Sequence, residues 1–104
     1  MLINPSNPCG SAFTKKHQLE LIELAKELKL PIIADEVYHG LVYDGEEEYE
    51  SFACLTKEVP ILSCGALSKV FCVPGWRLGW VILYNYTGYF DKVKDNLGKL
   101  MMIQ

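Results

Sequence analysis

One lysine, Lys69, stands out as a candidate nucleophile. It follows the short apolar run Ile61–Cys64 and leads toward a Pro-Gly-Trp-Arg-Leu-Gly turn. Its apolar neighbours in the sequence are Ala66, Leu67, Val70 and Phe71. An ordinary lysine has a pKa of about 10.4, and apolar or cationic surroundings lower that value until the amine can form a Schiff base with an aldehyde. Taken alone, the segment favours a simpler interpretation, a loop lysine whose ammonium group reaches solvent.

Polar groups that could hold an aromatic, phosphate-bearing ligand occur at Asn7, Asp35, Tyr38 and Arg77. Asp35 ends an apolar run, and its carboxylate could pair with a protonated ring nitrogen. Tyr38, in the helical turn that follows, would lie on the same side and could hydrogen-bond a phenolate oxygen. The amide of Asn7 could donate to that same oxygen. The planar guanidinium group of Arg77 suits a phosphate.

A carboxylate at the end of a strand, such as Asp35, also describes the magnesium-binding strand of a P-loop nucleoside triphosphatase. That class needs the loop G-x-x-x-x-G-K-[ST]. Gly65–Lys69 lacks the second glycine and the hydroxyl residue after the lysine. Gly75 and Gly79 do not complete the dinucleotide fingerprint G-x-G-x-x-G. The motifs therefore argue against both nucleotide-binding classes.

The metal-binding residue types do not form a ligand set. The segment Asp35–His39 has one histidine and no second histidine four residues away. The four cysteines include no C-x-x-C pair, and His17 and His39 do not complete a zinc set with them. We predict no metal site, and we predict free, mostly buried thiols in a reducing compartment.

Composition restricts the possible partners. The net charge of -3 gives no basic surface for nucleic acid or for an acidic membrane. We interpret the acidic run Glu46–Glu48 as a solvated loop. No signal peptide opens the sequence, and no apolar run reaches the roughly 18 residues that a membrane span needs. We therefore expect a cytoplasmic protein that binds neither nucleic acid nor a membrane.

The N-terminal part predicts a strand, a turn and a helix. Met1–Ile3 has the pattern of a short strand, and the prolines and glycine of Pro5–Gly10 then force a turn. Thr14 is a suitable N-cap for a helix through about Lys29. Apolar residues at spacings of three and four predict its buried stripe: Leu21, Leu24, Ala25 and Leu28.

The remaining elements follow from apolar runs. Pro31–Ala34 is continuously apolar, as in a strand covered on both faces. We predict two more strands, at Ile61–Cys64 and Leu78–Tyr84. We also predict an irregular surface segment at Tyr43–Lys57 and a final helix at Gly88–Met102.

This alternation of strand, helix and strand predicts an α/β fold with a mostly parallel sheet. In such sheets ligands bind at the carboxyl ends of the strands. Asn7, Asp35 and Lys69 each follow a predicted strand. We therefore expect them to converge on one edge of the sheet.

Four motifs occur in a fixed order: Asn4–Gly10 (NPSNPCG), Ala34–Tyr38 (ADEVY), Ser68-Lys69 and Pro74–Gly79 (PGWRLG). Together they resemble the class I, fold-type I pyridoxal-phosphate-dependent aminotransferases. Within that family, NPCG and Ile61–Gly65 (ILSCG) are most similar to the tyrosine aminotransferases. The resemblance implies that residues 1–104 are a central part of the large, cofactor-binding domain, with no complete domain boundary inside them. The resemblance implies that this domain has an α/β fold of three layers with a mostly parallel sheet.

The resemblance also implies a role for each candidate residue. Lys69 would hold pyridoxal 5'-phosphate as an internal aldimine and move the proton between the substrate's α-carbon and the cofactor. Asp35 would pair with the pyridinium nitrogen. Tyr38 and Asn7 would flank the ring's 3-oxygen, and Arg77 would clamp the phosphate.

The implied reaction moves an amino group from an L-amino acid, aromatic such as tyrosine, to a 2-oxo acid such as 2-oxoglutarate, in a homodimer. Two alternatives stay open, namely a pyridoxal-phosphate-dependent lyase and a truncated, non-catalytic remnant of the fold. We expect the 104 residues alone to be inactive. Ala66 stands where many family members carry a phosphate-binding hydroxyl, and Ser63 and Ser68 are nearby hydroxyl residues.

Overall fold

The computed structural model describes residues 1–43 and 49–101. The acidic run Glu46–Glu48 and the predicted helix end at Met102 therefore lie outside the described residues. All the candidate site residues lie within these ranges: Asn7, Asp35, Tyr38, Lys69 and Arg77.

The described residues contain one four-stranded sheet. Its strands, in spatial order, are β1 (Leu2–Ile3), β2 (Ile32–Asp35), β3 (Ile61–Ala66) and β4 (Gly79–Tyr84). Strands β1, β2 and β3 are parallel, and β4 runs antiparallel to β3. This arrangement confirms the predicted α/β class and the mostly parallel sheet. The carboxyl ends of β1, β2 and β3 share one edge, and the chain enters β4 at that same edge.

Four α-helices and two 3-10 turns complete the described part of the chain. The helices are α1 (Lys15–Glu27), α2 (Phe52–Leu55), α3 (Leu67–Val70) and α4 (Asp91–Met101), and the 3-10 turns are His39–Leu41 and Pro74–Trp76. Thr14 caps α1 as predicted, because its Oγ1 accepts a hydrogen bond from the backbone N–H of His17 at 3.2 Å. The helix ends at Glu27, before the predicted Lys29, which has a left-handed φ of 53°.

The buried side of α1 differs from the predicted stripe. The helix residues that are buried or packed against the core are Gln18, Leu21, Ile22 and Ala25. Leu24 and Leu28 are 50% and 58% exposed, so the predicted stripe is wrong for these two residues. With 3.6 residues per turn, the positions of Gln18, Ile22 and Ala25 form one row, and Leu24 and Leu28 lie beside it. Gln18 can occupy the buried row because its Nε2 donates to the carbonyl of Glu50 at 2.9 Å.

The core fills one side of the sheet. Its buried members come from α1, α2, β2 and β3 and from the segment before β3: Ile22, Ile32, Ala34, Phe52, Ala53, Val59 and Ile61. Ile32 and Ala34 are 4% and 0% exposed, whereas Ile33 between them is 42% exposed. Neighbouring strand residues point to opposite faces, so Ile33 faces away from this core. The prediction that this strand is covered on both faces is therefore wrong within the described residues.

Part of the segment predicted as irregular surface is helical and buried. Ser51 starts α2, because its Oγ accepts a hydrogen bond from the backbone N–H of Ala53 at 3.3 Å. The side chain of Phe52 is fully buried. The prediction for Tyr43–Lys57 is therefore wrong at α2, where Phe52 and Ala53 belong to the core.

The last helix begins at Asp91, after the predicted start at Gly88. Gly88 has a left-handed φ of 76°, which belongs to the turn rather than to the helix. Asn85 fixes this turn, because its side chain accepts from the backbone N–H of Phe90 and donates to Asp91, both at 2.7 Å. Within the described ranges, no helix is both long and apolar enough to cross a membrane.

Candidate functional site

Asp35 is the last residue of β2 and lies at the carboxyl edge of the sheet. Its carbonyl accepts a hydrogen bond from the backbone N–H of Asn4 at 3.0 Å, which continues the pairing of β1 with β2. Its Oδ1 accepts from the backbone N–H of Val37 at 3.3 Å and so begins the turn after the strand. The half-buried carboxylate keeps a second oxygen that this turn does not use.

The amine of Lys69 lies over the ring of Tyr38. Tyr38 directly precedes the 3-10 turn His39–Leu41, and Lys69 lies on α3, the single helical turn that follows β3. The Nζ atom of Lys69 is 5.8 Å from the centre of the Tyr38 ring. The structure therefore brings these two predicted site residues together, although Tyr38 follows β2 and Lys69 follows β3.

The surroundings of Lys69 are more open than its sequence neighbours suggest. Its side chain is exposed, and the neighbouring Phe71 is 65% exposed. Leu67 and Val70 are only half-buried. The apolar enclosure expected around Lys69 is therefore not formed by the described residues, since α3 is a single turn at the end of β3.

Asn7 shares a cleft of about 310 Å³ with Tyr38. Its turn is closed by two backbone hydrogen bonds of 2.9 Å, one from Ser6 to Ser11 and one from Gly10 to Ser6. The other lining residues of this cleft include Pro8, Leu41 and Tyr43. Tyr38 thus lines this cleft together with Asn7, and its ring separately lies near the amine of Lys69.

Arg77 lies at the same sheet edge but bonds within its own turn. It ends the 3-10 turn Pro74–Trp76 with a left-handed φ of 52°. Its Nη1 donates to the carbonyl of Pro74 at 3.1 Å, and the guanidinium group is exposed. The nearby bond from the backbone N–H of Leu67 to the carbonyl of Leu78, at 3.2 Å, ties this turn to α3. The fold therefore carries Arg77 to the edge that holds Lys69, with its side chain turned back onto Pro74.

Glu36 is a buried polar residue whose role the sequence patterns did not predict. It is 6% exposed, and its Oε2 accepts hydrogen bonds from the hydroxyls of Ser51 at 3.0 Å and Ser63 at 2.5 Å. Its Oε1 accepts from the backbone N–H of Phe52 at 3.2 Å. The adjacent carboxylates were an available signal, because successive strand residues face opposite ways and one of the pair had to face the core. Ser63 is thereby committed to Glu36, and Ser68 remains as the half-buried hydroxyl close to Lys69.

Burial and nearby carboxylates raise the pKa values of two neighbouring residues, Tyr49 and Cys64. Burial raises the pKa of the Tyr49 phenol, and the negative charge of Glu36 raises it further. Burial also raises the pKa of the Cys64 thiol, with added contributions from the charges of Asp35 and Glu36. Cys64 is paired with Asp35 in the register of β2 and β3, so it lies on the same sheet face as that carboxylate.

The other cysteines differ from the prediction of mostly buried thiols. Cys9, Cys54 and Cys72 are all exposed, so that prediction is wrong for these three residues. The described residues contain no group of three or more histidine, cysteine, aspartate or glutamate side chains that could hold a metal ion.

The sequence matches a known family over nearly its whole length. Residues 1–102 match the family model described as aminotransferase class I and II. The chain is 52% identical over 101 residues to tyrosine aminotransferase of Dictyostelium discoideum, covering 97% of this chain and 24% of that protein. It is 46% identical over 98 residues to tyrosine aminotransferase of Homo sapiens, covering 93% of this chain and 21% of that protein. The chain thus spans about a quarter of the length of the first of these relatives and about a fifth of the second.

Solved structures share the fold. An alanine aminotransferase from Pyrococcus furiosus superposes with a TM-score of 0.90 at 36% identity, over 98% of this chain and 25% of that one. A tyrosine aminotransferase from Leishmania infantum superposes with a TM-score of 0.82 at 37% identity, over 86% of this chain and 22% of that one. The family model, the relatives and the solved structures agree, and the chain therefore belongs to the class I and II aminotransferases.

Proposed function

We propose that these residues form the cofactor-holding part of a pyridoxal-phosphate-dependent transaminase. The proposed reaction moves the amino group of an L-amino acid to a 2-oxo acid. The observation that carries the proposal is the 5.8 Å separation of Lys69 Nζ from the Tyr38 ring, beside the cleft that Tyr38 shares with Asn7. At this sheet edge the ring of Tyr38 lies near the amine of Lys69, and Tyr38 shares a cleft with Asn7.

The donor set at this edge fits pyridoxal phosphate group by group. When bound, that cofactor supplies an aldehyde that condenses with amines and a ring that accepts electron density. Lys69 offers the amine and Asp35 a carboxylate for the ring nitrogen. Tyr38 and Asn7 offer hydrogen-bond donors for the ring's oxygen, and Arg77 offers a planar cation for the phosphate.

Each side chain then has a task that its chemistry allows. The Nζ atom of Lys69 would hold the cofactor covalently and, once displaced by the substrate amine, would carry the proton to and from the substrate's α-carbon. Asp35 would accept a hydrogen bond from the ring nitrogen and keep it protonated. Arg77 must turn away from the carbonyl of Pro74 before it can reach a phosphate, since its Nη1 is engaged there.

An aromatic amino donor, such as tyrosine, is the substrate that the comparisons favour. Relatives named tyrosine aminotransferase are 52% and 46% identical to this chain. We propose 2-oxoglutarate as the acceptor, a small 2-oxo acid of the kind that the reaction requires. The substrates are therefore small molecules, and the part described here would contribute the cofactor site to the larger domain.

Covalent labelling tests the cofactor site directly. The chain is mixed with pyridoxal phosphate and reduced with borohydride, and the labelled lysine is identified by peptide mass spectrometry. Lys57 is the matched control, because its Nζ is also 5.8 Å from an aromatic ring, that of Tyr86. We expect Lys69 to be labelled at least about tenfold more than Lys57, the ratio for about 1.4 kcal/mol of preferential binding. Equal labelling of the two lysines would overturn the proposal.

The substrate class needs a second measurement. The gene product that contains these 104 residues is assayed with L-tyrosine or L-alanine as amino donor and 2-oxoglutarate as acceptor, and glutamate is quantified. A higher kcat/KM with L-tyrosine supports the aromatic donor, and a higher value with L-alanine contradicts it. Glutamate formation that survives Lys69→Ala unchanged would contradict the role of the lysine itself.

A further inference from the structure

Glu36 lies between two residues of the proposed cofactor site, Asp35 and Tyr38, and has no task in that site. Its side chain is 6% exposed and is not among the residues that line the cleft beside Tyr38. It is therefore not placed to touch a ligand. A carboxylate this deeply buried needs hydrogen-bond donors, because an unpaired one would lose the solvation it has in water.

The donors come from two other elements. Ser63 belongs to β3, and its hydroxyl donates to Oε2 at 2.5 Å. Ser51 caps α2, and its hydroxyl donates to the same oxygen at 3.0 Å. The first N–H of α2, on Phe52, donates to Oε1 at 3.2 Å. One carboxylate thus joins the end of β2 to the neighbouring strand and to the start of a helix.

The backbone of Glu36 is fixed as well. Its N–H donates to the carbonyl of Cys64 at 3.0 Å, which continues the pairing of β2 with β3 by one residue. Its carbonyl accepts from the backbone N–H of His39 at 3.0 Å, and the Nδ1 atom of the His39 side chain lies 3.1 Å from that carbonyl oxygen. This carbonyl therefore closes the turn that carries Tyr38.

These contacts constrain the direction of the Asp35 side chain and the path of the turn that carries Tyr38. Adjacent residues at a strand end point to opposite faces, so a Glu36 side chain held on the core side directs Asp35 to the other face. A carbonyl held to His39 sets the path of the turn, and with it the place of Tyr38 near Lys69. We propose that Glu36 is a positioning residue that fixes the directions of Asp35 and Tyr38. The inference rests on the proposed function, because it concerns the geometry of that site.

The test compares three substitutions. Glu36→Asp shortens the side chain by one methylene, so that its carboxylate cannot reach the hydroxyls and Phe52 at once. Glu36→Gln keeps the length, and the two serine hydroxyls can rotate to accept from its amide. Glu27→Gln, on the exposed side of α1, makes the same chemical change away from the site.

The first measurement is amide hydrogen exchange by NMR without cofactor. In Glu36→Asp, the amides of Val37 and His39 should exchange at least about tenfold faster, because the bonds that close their turn weaken. The backbone N–H of Gln18 donates to the carbonyl of Thr14, the N-cap of α1, and should keep its exchange rate. Glu36→Gln and Glu27→Gln should stay within about threefold of the unchanged chain. Unchanged turn amides, or acceleration of all three amides together, would overturn the positioning role.

The second measurement is the affinity for pyridoxal phosphate, read from the labelling of Lys69 and from the pH dependence of the bound cofactor's absorbance. Glu36→Asp should weaken binding about tenfold and shift the pH midpoint, while Glu36→Gln restores both. If the unchanged chain shows no preference for Lys69, the proposed function fails, and the exchange data still decide whether Glu36 fixes the turn. If the unchanged chain is labelled at Lys69 and Glu36→Asp binds equally well, the inference fails and the proposed function stands.

Discussion

Val70 packs directly against the bare backbone of Gly40. A β-carbon added to Gly40 would lie 3.2 Å from each of the two methyl carbons of Val70. Val70 follows Lys69 on α3, and Gly40 lies in the 3-10 turn that follows Tyr38. The closeness of this contact therefore helps to set how near the Lys69 amine comes to the Tyr38 ring.

Gly40→Ala is expected to push α3 away from Tyr38. The new methyl carbon would lie 3.2 Å from Val70, closer than an ordinary van der Waals contact, and overpacking of this kind costs about 1–3 kcal/mol. We expect a lower free energy of unfolding in urea and weaker labelling of Lys69 by pyridoxal phosphate and borohydride.

Two further variants separate the overlap from a general effect of alanine. Gly75→Ala, in the other 3-10 turn, adds the same methyl group where nothing lies within 4 Å, and should leave labelling unchanged. Gly40→Ala combined with Val70→Ala removes the overlapping methyl groups and should recover labelling. Labelling that stays low in the double variant would show that the contact with Val70 is not the cause.

Local sequence rules found the elements that carry the site. The hydroxyl of Thr14 caps α1 through a residue three positions away, and apolar runs gave β2 and β3. The convergence of Asn7 and Lys69 toward Tyr38 follows from the rule that parallel strands share a carboxyl edge. Each of these inferences needs only neighbouring residues or a general property of sheets.

Contacts between distant residues account for what the sequence did not reveal. The burial of Glu36 depends on hydroxyls 15 and 27 residues away, at Ser51 and Ser63. The exposure of Lys69 depends on what packs around α3, which its apolar neighbours in the sequence do not determine. The apolar run that contains Ile33 likewise predicts a strand but not which face of the sheet the helices cover, and Ile33 is exposed.

The charge of Asp35 can be read through the thiol of Cys64. Burial, then the charge of Asp35 and that of Glu36, raise the pKa of this thiol, so a smaller fraction of it is thiolate at a given pH. Asp35→Asn removes one of the two charges, so the pKa of Cys64 should fall and its alkylation by iodoacetamide at mildly alkaline pH should become faster. Peptide mass spectrometry follows Cys64 separately from the exposed Cys72, whose rate serves as the internal control. A slower or unchanged rate at Cys64 contradicts the electrostatic coupling.

The raised pKa of Tyr49 predicts that the free energy of unfolding falls at alkaline pH. Burial and the charge of Glu36 raise its pKa in the folded chain, so the folded state holds the phenol proton more tightly than the unfolded state. Stability is then unaffected below the unfolded pKa of about 10 and falls as pH rises above it. Tyr49→Phe should flatten that fall in urea unfolding measured across this range.

The same substitution has an opposite effect near neutral pH. The hydroxyl of Tyr49 donates to the carbonyl of Asn4 at 3.2 Å, and losing such a bond costs about 1 kcal/mol. Tyr49→Phe should therefore be less stable than the unchanged chain at pH 7 and approach it in alkali. Tyr86→Phe, at a position that is 62% exposed, controls for loss of a phenol at the surface. Parallel stability curves for Tyr49→Phe and the unchanged chain would contradict the assignment.

Gly65 makes room for Trp80 at the point where β3 approaches Lys69. A β-carbon on Gly65 would lie 2.5 Å from two atoms of the Trp80 indole, and the two residues are paired in the antiparallel register. Gly65→Ala must therefore displace the indole. We expect a loss of about 1–3 kcal/mol in the free energy of unfolding and a red shift of the tryptophan emission as Trp80 becomes more exposed. Gly98→Ala, where nothing lies within 4 Å, should leave the emission unchanged.

Removal of the indole decides whether the overlap is the cause. Trp80→Ala alone loses the contact, and Gly65→Ala should then add little further destabilisation in the double variant, because the atoms that it would meet are gone. The free energies of unfolding of the four chains form a closed cycle, and their coupling should be at least about 1 kcal/mol. Additive effects of the two changes would mean that Gly65 serves the backbone of β3 rather than the indole. Because Gly65 precedes the turn that carries Lys69, labelling of Lys69 in the same four chains shows whether this packing reaches the site.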